Sequence, residues 1–308
     1  MKYLLVILSA LIFNFSFCQD NLFTEEEISV SSLIDGTLLT PNTNEKQILV
    51  IIIAGSGPTD RNGNQNFMKN NSLKKLAEEL ANEGIATYRY DKRIVKQIRQ
   101  GNIDKNVMFD DFVSDAVEVI TYFKEKEAHS KIYIVGHSQG SLVGMLAVKD
   151  LADGFISLAG AGQNIGDVIV DQVTNMAPKL GEEAQKVVDK LKNGETTSEF
   201  PPMLASVFNI DIQPFMINWM QYNPTEVIRK LNIPILIVNG TKDLQVSEEE
   251  AQLLKDANEN AELKIIENMN HVLFEIEGDD LENSKSYNEA SREISLELIE
   301  SITKFIKN

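Results

Sequence analysis

The chain has 308 residues, 43% of them hydrophobic and 24% charged, enough apolar material to bury a large core. Its 46 acidic residues against 29 lysines and arginines give a net charge of -17. That charge repels a phosphate backbone or an anionic membrane surface, so nucleic acid is not an expected partner. Cys18 is the only cysteine and there are three histidines, so no Cys/His cluster supplies a metal site.

In chain order, the first segment reads as an export signal. Lys2 is the positive start, residues 3–13 are the apolar run, and Ser16-Phe17-Cys18 is a small-x-small cleavage site. Cleavage after residue 18 would make the protein periplasmic or secreted, with no integral membrane association in its mature form. The alternative is a lipoprotein anchored through Cys18, which the bulky Phe17 disfavours. Next, residues 28–33 and 37–39, flanking Asp35-Gly36, predict an antiparallel hairpin with Asp-Gly at its tip. The period then changes. Strands are expected over 47–54, 85–90, 131–135, 154–158, 233–238 and 262–266, and helices over 73–82, 109–126, 141–151, 248–255 and 283–306.

Strands alternating with helices predict an α/β class: a mostly parallel, doubly wound sheet covered on both faces. The rhythm breaks after Gly160 and resumes near Leu231. Within this stretch Ala184, Val187, Val188 and Leu191 share one helical face, and Asn193-Gly194 ends it. The expected organisation is therefore a catalytic domain over 19–160 and 232–308, with a helical cap inserted over 161–231.

Gly136-His137-Ser138-Gln139-Gly140 fits a strained strand-to-helix turn that exposes a serine hydroxyl and needs small neighbours so that backbones can pass closely. Gly-x-Ser-x-Gly alone arises by chance in roughly one chain in ten of this size. The weight comes from its setting, an apolar strand ending at Val135 and an apolar helix starting at Ser141. A serine needs a base, and His271, on a loop after a late strand, is the best placed; His137 is too close in sequence and His129 lies in a polar connection. Asp243, just past the strand ending at Val238, is the carboxylate to orient that base, with capping of the following helix as its bland alternative. For the oxyanion, the Gln139 N–H supplies one donor. The Ala54-Gly55-Ser56-Gly57-Pro58 loop supplies the other, from Ser56.

The serine turn, the Gly55-Ser56-Gly57-Pro58-Thr59-Asp60-Arg61 loop, Tyr90-Asp91-Lys92-Arg93, and the Asp243 and His271 segments together resemble the α/β-hydrolase superfamily. The chain order Ser, Asp, His agrees with it. The likeness is nearest to its exported bacterial esterase branch and is similar to serine-aminopeptidase-like and lysophospholipase-like proteins. It implies the α/β-hydrolase fold and carboxylic-ester hydrolysis of a small-molecule substrate, with no cofactor. Two departures are visible, Ala54 where relatives have histidine and Ile94 where glycine is usual, which bear on the loop shapes. Asp60, Arg61, Asp91 and Arg93 could bind substrate or brace the two loops as ion pairs.

Phe208, Phe215, Met216, Trp219, Met220 and Tyr222 offer the cap an acyl-binding face, or simply its core. Two other functions stay open: a peptidase trimming N-terminal residues, with Glu182, Glu183 and Asp189 available for the amine, and an inactive small-molecule-binding protein on a hydrolase scaffold.

Overall fold

The computed structural model describes residues 22–308. The expected signal peptide and Cys18 lie outside the described residues. The chain opens with β1 (Phe23–Ser29) and β2 (Asp35–Pro41), then runs β3 (Leu49–Ile53), α1 (Ser72–Asn82), β4 (Ala86–Tyr90), α2 (Arg93–Gln100), α3 (Phe109–Lys126), β5 (Ile132–His137), α4 (Gln139–Ala147) and β6 (Gly154–Leu158). Four α-helices follow before the sheet resumes: α5 (Ile165–Met176), α6 (Gly181–Lys192), α7 (Gln213–Trp219) and α8 (Pro224–Ile228). The chain ends with β7 (Ile235–Gly240), α9 (Glu248–Ala257), β8 (Glu262–Ile266), α10 (Asp280–Ser286) and α11 (Leu296–Lys307).

The eight strands form one sheet in the order β1-β2-β4-β3-β5-β6-β7-β8. β1 with β2 and β2 with β4 pair antiparallel; every other neighbour is parallel. Because side chains alternate across a strand, β3 feeds two cores. Leu49, Ile51 and Ile53 face a layer with α3, α4, α9 and the helices between β6 and β7, while Val50 and Ile52 face α1 and α11. All five are at most 3% exposed. Each buried side chain of this size contributes about 1.5–3 kcal/mol, so the loop leaving β3 toward Ser56 starts from a fixed point.

The helices follow from spacing and end chemistry. In α3, Phe109, Phe112, Ala116, Val119, Ile120 and Phe123 recur at three- and four-residue intervals and are all buried. The Asp111 carboxylate accepts the Met108 N–H at 2.8 Å, closing the first turn, and Lys124 and Lys126 lie in the last. In α6, Ala184, Val187, Val188 and Leu191 are buried as their spacing predicts, and Gly194 follows at φ 81°.

Three expectations about elements change. The hairpin tip is not Asp35-Gly36: both belong to β2, and the turn is closed earlier by Val30 N–H donating to the Ile34 carbonyl at 2.9 Å. The chain must first bury Ile34, which is fully inaccessible, before the strand can start. The helix expected over 283–306 is two helices, because Ile294 forms a bridge with Phe274 and the Ser295 N–H bonds the Leu273 carbonyl. Tertiary hydrogen bonds outcompete helical ones there. Finally, α2 was not anticipated. Ile94, where glycine is usual in the resembling proteins, lies in its first turn, and Gly101 at φ 66° ends it.

Candidate active site

β5 carries the chain to the carboxyl edge of the sheet, where Ser138 adopts φ 53° and ψ -120°. A non-glycine residue in such a region costs about 1–3 kcal/mol and persists only when its surroundings over-determine it. Here they do. A Cβ at Gly136 would overlap the Gly140 carbonyl, one at Gly140 would overlap the Ile53 carbonyl, and Ser138 N–H bonds the Leu158 carbonyl at 2.8 Å. The Gln139 N–H that follows opens α4 and has no helical carbonyl to bond.

Asp243 and His271 come together because two loops cross. At Gly240, the last residue of β7, a Cβ would collide with the Met269 carbonyl, and Lys242 N–H donates to that same carbonyl at 3.0 Å. This close crossing brings His271 Nδ1 to 2.8 Å from Asp243 Oδ2, with side chains 6% and 1% exposed. Asp243 Oδ1 meanwhile accepts the backbone N–H groups of Gln245 at 2.8 Å and Val246 at 2.9 Å. The carboxylate thus ties the loop leading into α9 and also holds the histidine; the two roles proposed for it are compatible. Ser138 and His271 line one 60 Å³ cavity. Among the described residues neither Ser138 Oγ nor His271 Nε2 has a hydrogen-bond partner, which leaves both atoms available to a substrate.

Three residues that the sequence did not single out as site residues lie near this pair. Asn270 accepts the Val272 and Phe274 N–H groups and donates to Asn283 Oδ1 at 2.9 Å and Ser286 Oγ at 2.8 Å; Asn283 in turn donates to the Lys242 carbonyl at 2.6 Å. This knot joins α10 to both crossing loops. His137, the neighbour of Ser138, donates from Nε2 to the His271 carbonyl at 2.8 Å and packs on its ring with centroids 4.9 Å apart. Burial, reinforced by the nearby His271, pulls its pKa down to about 4. Lys92 is the third. Its ammonium is buried, donating to the Gly55 carbonyl at 3.0 Å and to Gln139 Oε1 at 2.8 Å, and lies 4.2 Å over the Phe112 ring. Burial draws its pKa down to about 7, opposed in part by the Asp115 charge. In the sequence Lys92 stands out only as a member of the Tyr90-Asp91-Lys92-Arg93 segment, two residues past the end of β4.

The family model described as Serine aminopeptidase, S33 matches residues 69–279, a span that contains Ser138, Asp243 and His271. The chain belongs to this family. Esterase EstD of Thermotoga maritima is 28% identical over 269 residues, 83% of this chain; the chain spans 61% of EstD's length. A monoglyceride lipase homolog of monkeypox virus is 23% identical over 240 residues, 68% of this chain and 79% of that protein. Among solved structures, Est1E from Butyrivibrio proteoclasticus is similar with a TM-score of 0.57 at 18% identity, covering 92% of this chain and 99% of its own. The expected α/β-hydrolase fold, a mostly parallel sheet with an antiparallel N-terminal hairpin, is thereby borne out.

In this family member two larger cavities flank the serine turn. One, of 220 Å³, is lined by Ser56, Ser138, Gln139, Ile169 and Trp219 among others; the second, of 370 Å³, shares Ser56, Gln139 and Trp219 and adds Lys92, Val107 and Phe215. Trp219, stacked on Phe109 at 5.4 Å, stands between them. Of the aromatic and methionine residues expected at a binding face, Trp219 and Phe215 reach these cavities. Phe208, Met216 and Met220 are core, and Tyr222 Oη donates to Asp110 at 2.6 Å.

Arg61, Asp91 and Arg93, in the segments after β3 and β4, form ion pairs. Arg61 bonds Asp91 at 2.9 Å and also Glu27, Arg99 joins Asp91, and Arg93 turns instead to Asp111 and Asp115 on α3, each at 2.7 Å. Asp60 Oδ1 accepts the N–H groups of Asn62 and Asn64. Among the described residues no His, Cys, Asp and Glu side chains group so as to hold a metal ion, and no helix is long and apolar enough to cross a membrane.

Proposed function

We propose that this chain is a serine hydrolase of carboxylic esters. Ser138 Oγ attacks the ester carbonyl while His271 Nε2 takes its proton, and the Nδ1–H bond to Asp243 stabilises the imidazolium. The Gln139 and Ser56 N–H groups hold the oxyanion. His271 returns the proton to the departing alcohol, leaving an acyl group on Ser138. Water, deprotonated by His271, then releases the acid and frees the serine. Residues 161–231 act as the cap that shapes the acyl and alcohol spaces. The observation carrying this reading is the 2.8 Å His271–Asp243 bond beside a serine on a strained positive-φ turn.

The likeness to EstD, an esterase by name, supports the substrate class. The family's description favours a peptidase as second reading. The 220 Å³ cavity, which Ser138 lines, has no carboxylate to receive an amine, whereas Asp104 and Asp211 line the 370 Å³ one; Glu182 and Asp189 are exposed on α6 and Glu183 pairs with Lys186.

The test is turnover of p-nitrophenyl esters of increasing acyl length near pH 8, beside Ser138→Ala. Wild type turns over and the variant falls by about 10⁶-fold in kcat. If neither acts on esters while aminopeptidase substrates are cleaved by wild type alone, the substrate class is wrong. Binding without turnover of either class would favour the inactive binding protein.

A further inference from the structure

We propose that Lys92 is a positioning residue for the oxyanion site: one side chain grips the Gly55–Ser56 peptide and the Gln139 side chain, and so aims both N–H donors at the substrate oxygen. This rests on the ester-hydrolase reading of Ser138. Lysine is rarely buried unless paired with a carboxylate. Lys92 is 6% exposed, and among the described residues it makes no ion pair; its hydrogen bonds go to Gly55 O and Gln139 Oε1. Those two oxygens belong to the two stretches of chain that supply the oxyanion donors.

Peptide planarity turns the first bond into an orientation. No described peptide bond is cis, and in a planar trans unit the C=O and the N–H point in opposite directions. Fixing the Gly55 carbonyl toward Lys92 therefore points the Ser56 N–H away from it, and Ser56 lines both cavities that Ser138 lines. The Ser56 carbonyl is held as well, by Thr59 Oγ1 at 2.7 Å and Gln65 Nε2 at 3.1 Å. Both carbonyls flanking the donor are thus engaged by side chains. The Gly55 α-carbon packs so closely on the serine turn that a Cβ there would lie 3.2 Å from Ser138 Cβ. The second bond anchors Gln139 at the first turn of α4.

A donor on the carbonyl end of a peptide also polarises it and strengthens its N–H, cooperatively with the bond that N–H makes. A lysine has at least two N–H groups whether charged or neutral, so the clamp holds on both sides of its pKa.

The experiment compares purified wild type, Lys92→Met and Lys92→Arg by three readouts. These are kcat and KM on p-nitrophenyl butyrate, affinity for a trifluoromethyl ketone that forms a tetrahedral adduct with a nucleophilic serine, and the rate at which a fluorophosphonate labels Ser138, read by mass spectrometry. Methionine fills the same space without a donor. Lys92→Met lowers kcat by about 10²-fold, the loss typical of a weakened oxyanion donor, with KM within about threefold and ketone affinity falling by the same factor as kcat. Lys92→Arg recovers a substantial part of that loss. A Lys92→Met protein that melts like wild type and keeps kcat within about threefold overturns the proposal. So does a loss carried by KM alone. Should Lys92→Met fail to fold, Gln139→Ala reads the same link from its other end: kcat falls about tenfold if the proposal holds, and an unchanged kcat overturns it. A wild type that hydrolyses no ester but is labelled at Ser138 removes the ester reading and leaves Lys92 to be judged by the labelling rates, which fall by the same factor if the proposal is right. A wild type that is neither active nor labelled overturns both.

Discussion

At the edge of the sheet, Ser138 is locked between glycines that admit no Cβ, and Asp243 accepts three hydrogen bonds at once. On the far side of the cavities, the 161–231 segment offers Ile169, Phe215 and Trp219, apolar side chains held by packing and ring contacts. The sheet edge is fixed by directional bonds and hard overlaps, which tolerate almost no displacement. The helical side is fixed by non-directional burial, which tolerates exchange of one apolar shape for another. On the proposed ester-hydrolase reading, chemistry belongs to the first region and selectivity to the second.

The sharpest way to break that division is Asp243→Asn. The Gln245 and Val246 N–H groups hold the amide oxygen where Oδ1 now lies, so the amide NH₂ faces His271 Nδ1. That forces the imidazole proton onto Nε2, where it cannot accept from Ser138. The expected loss in kcat is about 10⁴-fold with the fold intact. A loss under tenfold would mean that the carboxylate only ties its loop.

The next effect is on stability. His137 is neutral in the fold, with its pKa pulled from 6.5 down to about 4. Between those values the unfolded chain binds the proton that the folded one refuses, so His137 contributes its full stability above pH 6.5 and loses it as pH falls toward 4. The loss is about 3 kcal/mol, roughly 10²-fold in the folding constant. Denaturant midpoints of wild type and His137→Gln, followed from pH 7 to pH 4, should converge as pH falls. A difference independent of pH would show that His137 does not titrate with unfolding.

The smallest effect belongs to the helical side. Ile169→Trp fills the 220 Å³ cavity and Val107→Trp the 370 Å³ one, and both side chains are only half-buried, so the fold should accept them. Whichever cavity holds the acyl chain, its filled variant loses about tenfold or more on the longest esters relative to acetate, while the other keeps the wild-type profile. Unchanged profiles in both would take these cavities out of substrate binding.

Periodicity and local chemistry made much of this legible in the sequence. α3 and β6 keep the bounds expected of them, because their apolar spacing is set within the element. The glycines of the serine turn betrayed its crowding, and the chain order of Ser138, Asp243 and His271 ranked the partners. What the sequence could not carry is whatever depends on distant chain meeting edge to edge. The break between α10 and α11 exists because Ile294 and Ser295 pair with residues some twenty positions earlier. Asn270 is satisfied by side chains thirteen and sixteen residues away on another helix. Lys92 reaches forty-seven residues ahead to Gln139. Burial of a polar group is a property of the assembled volume, and its partners are chosen only when that volume closes.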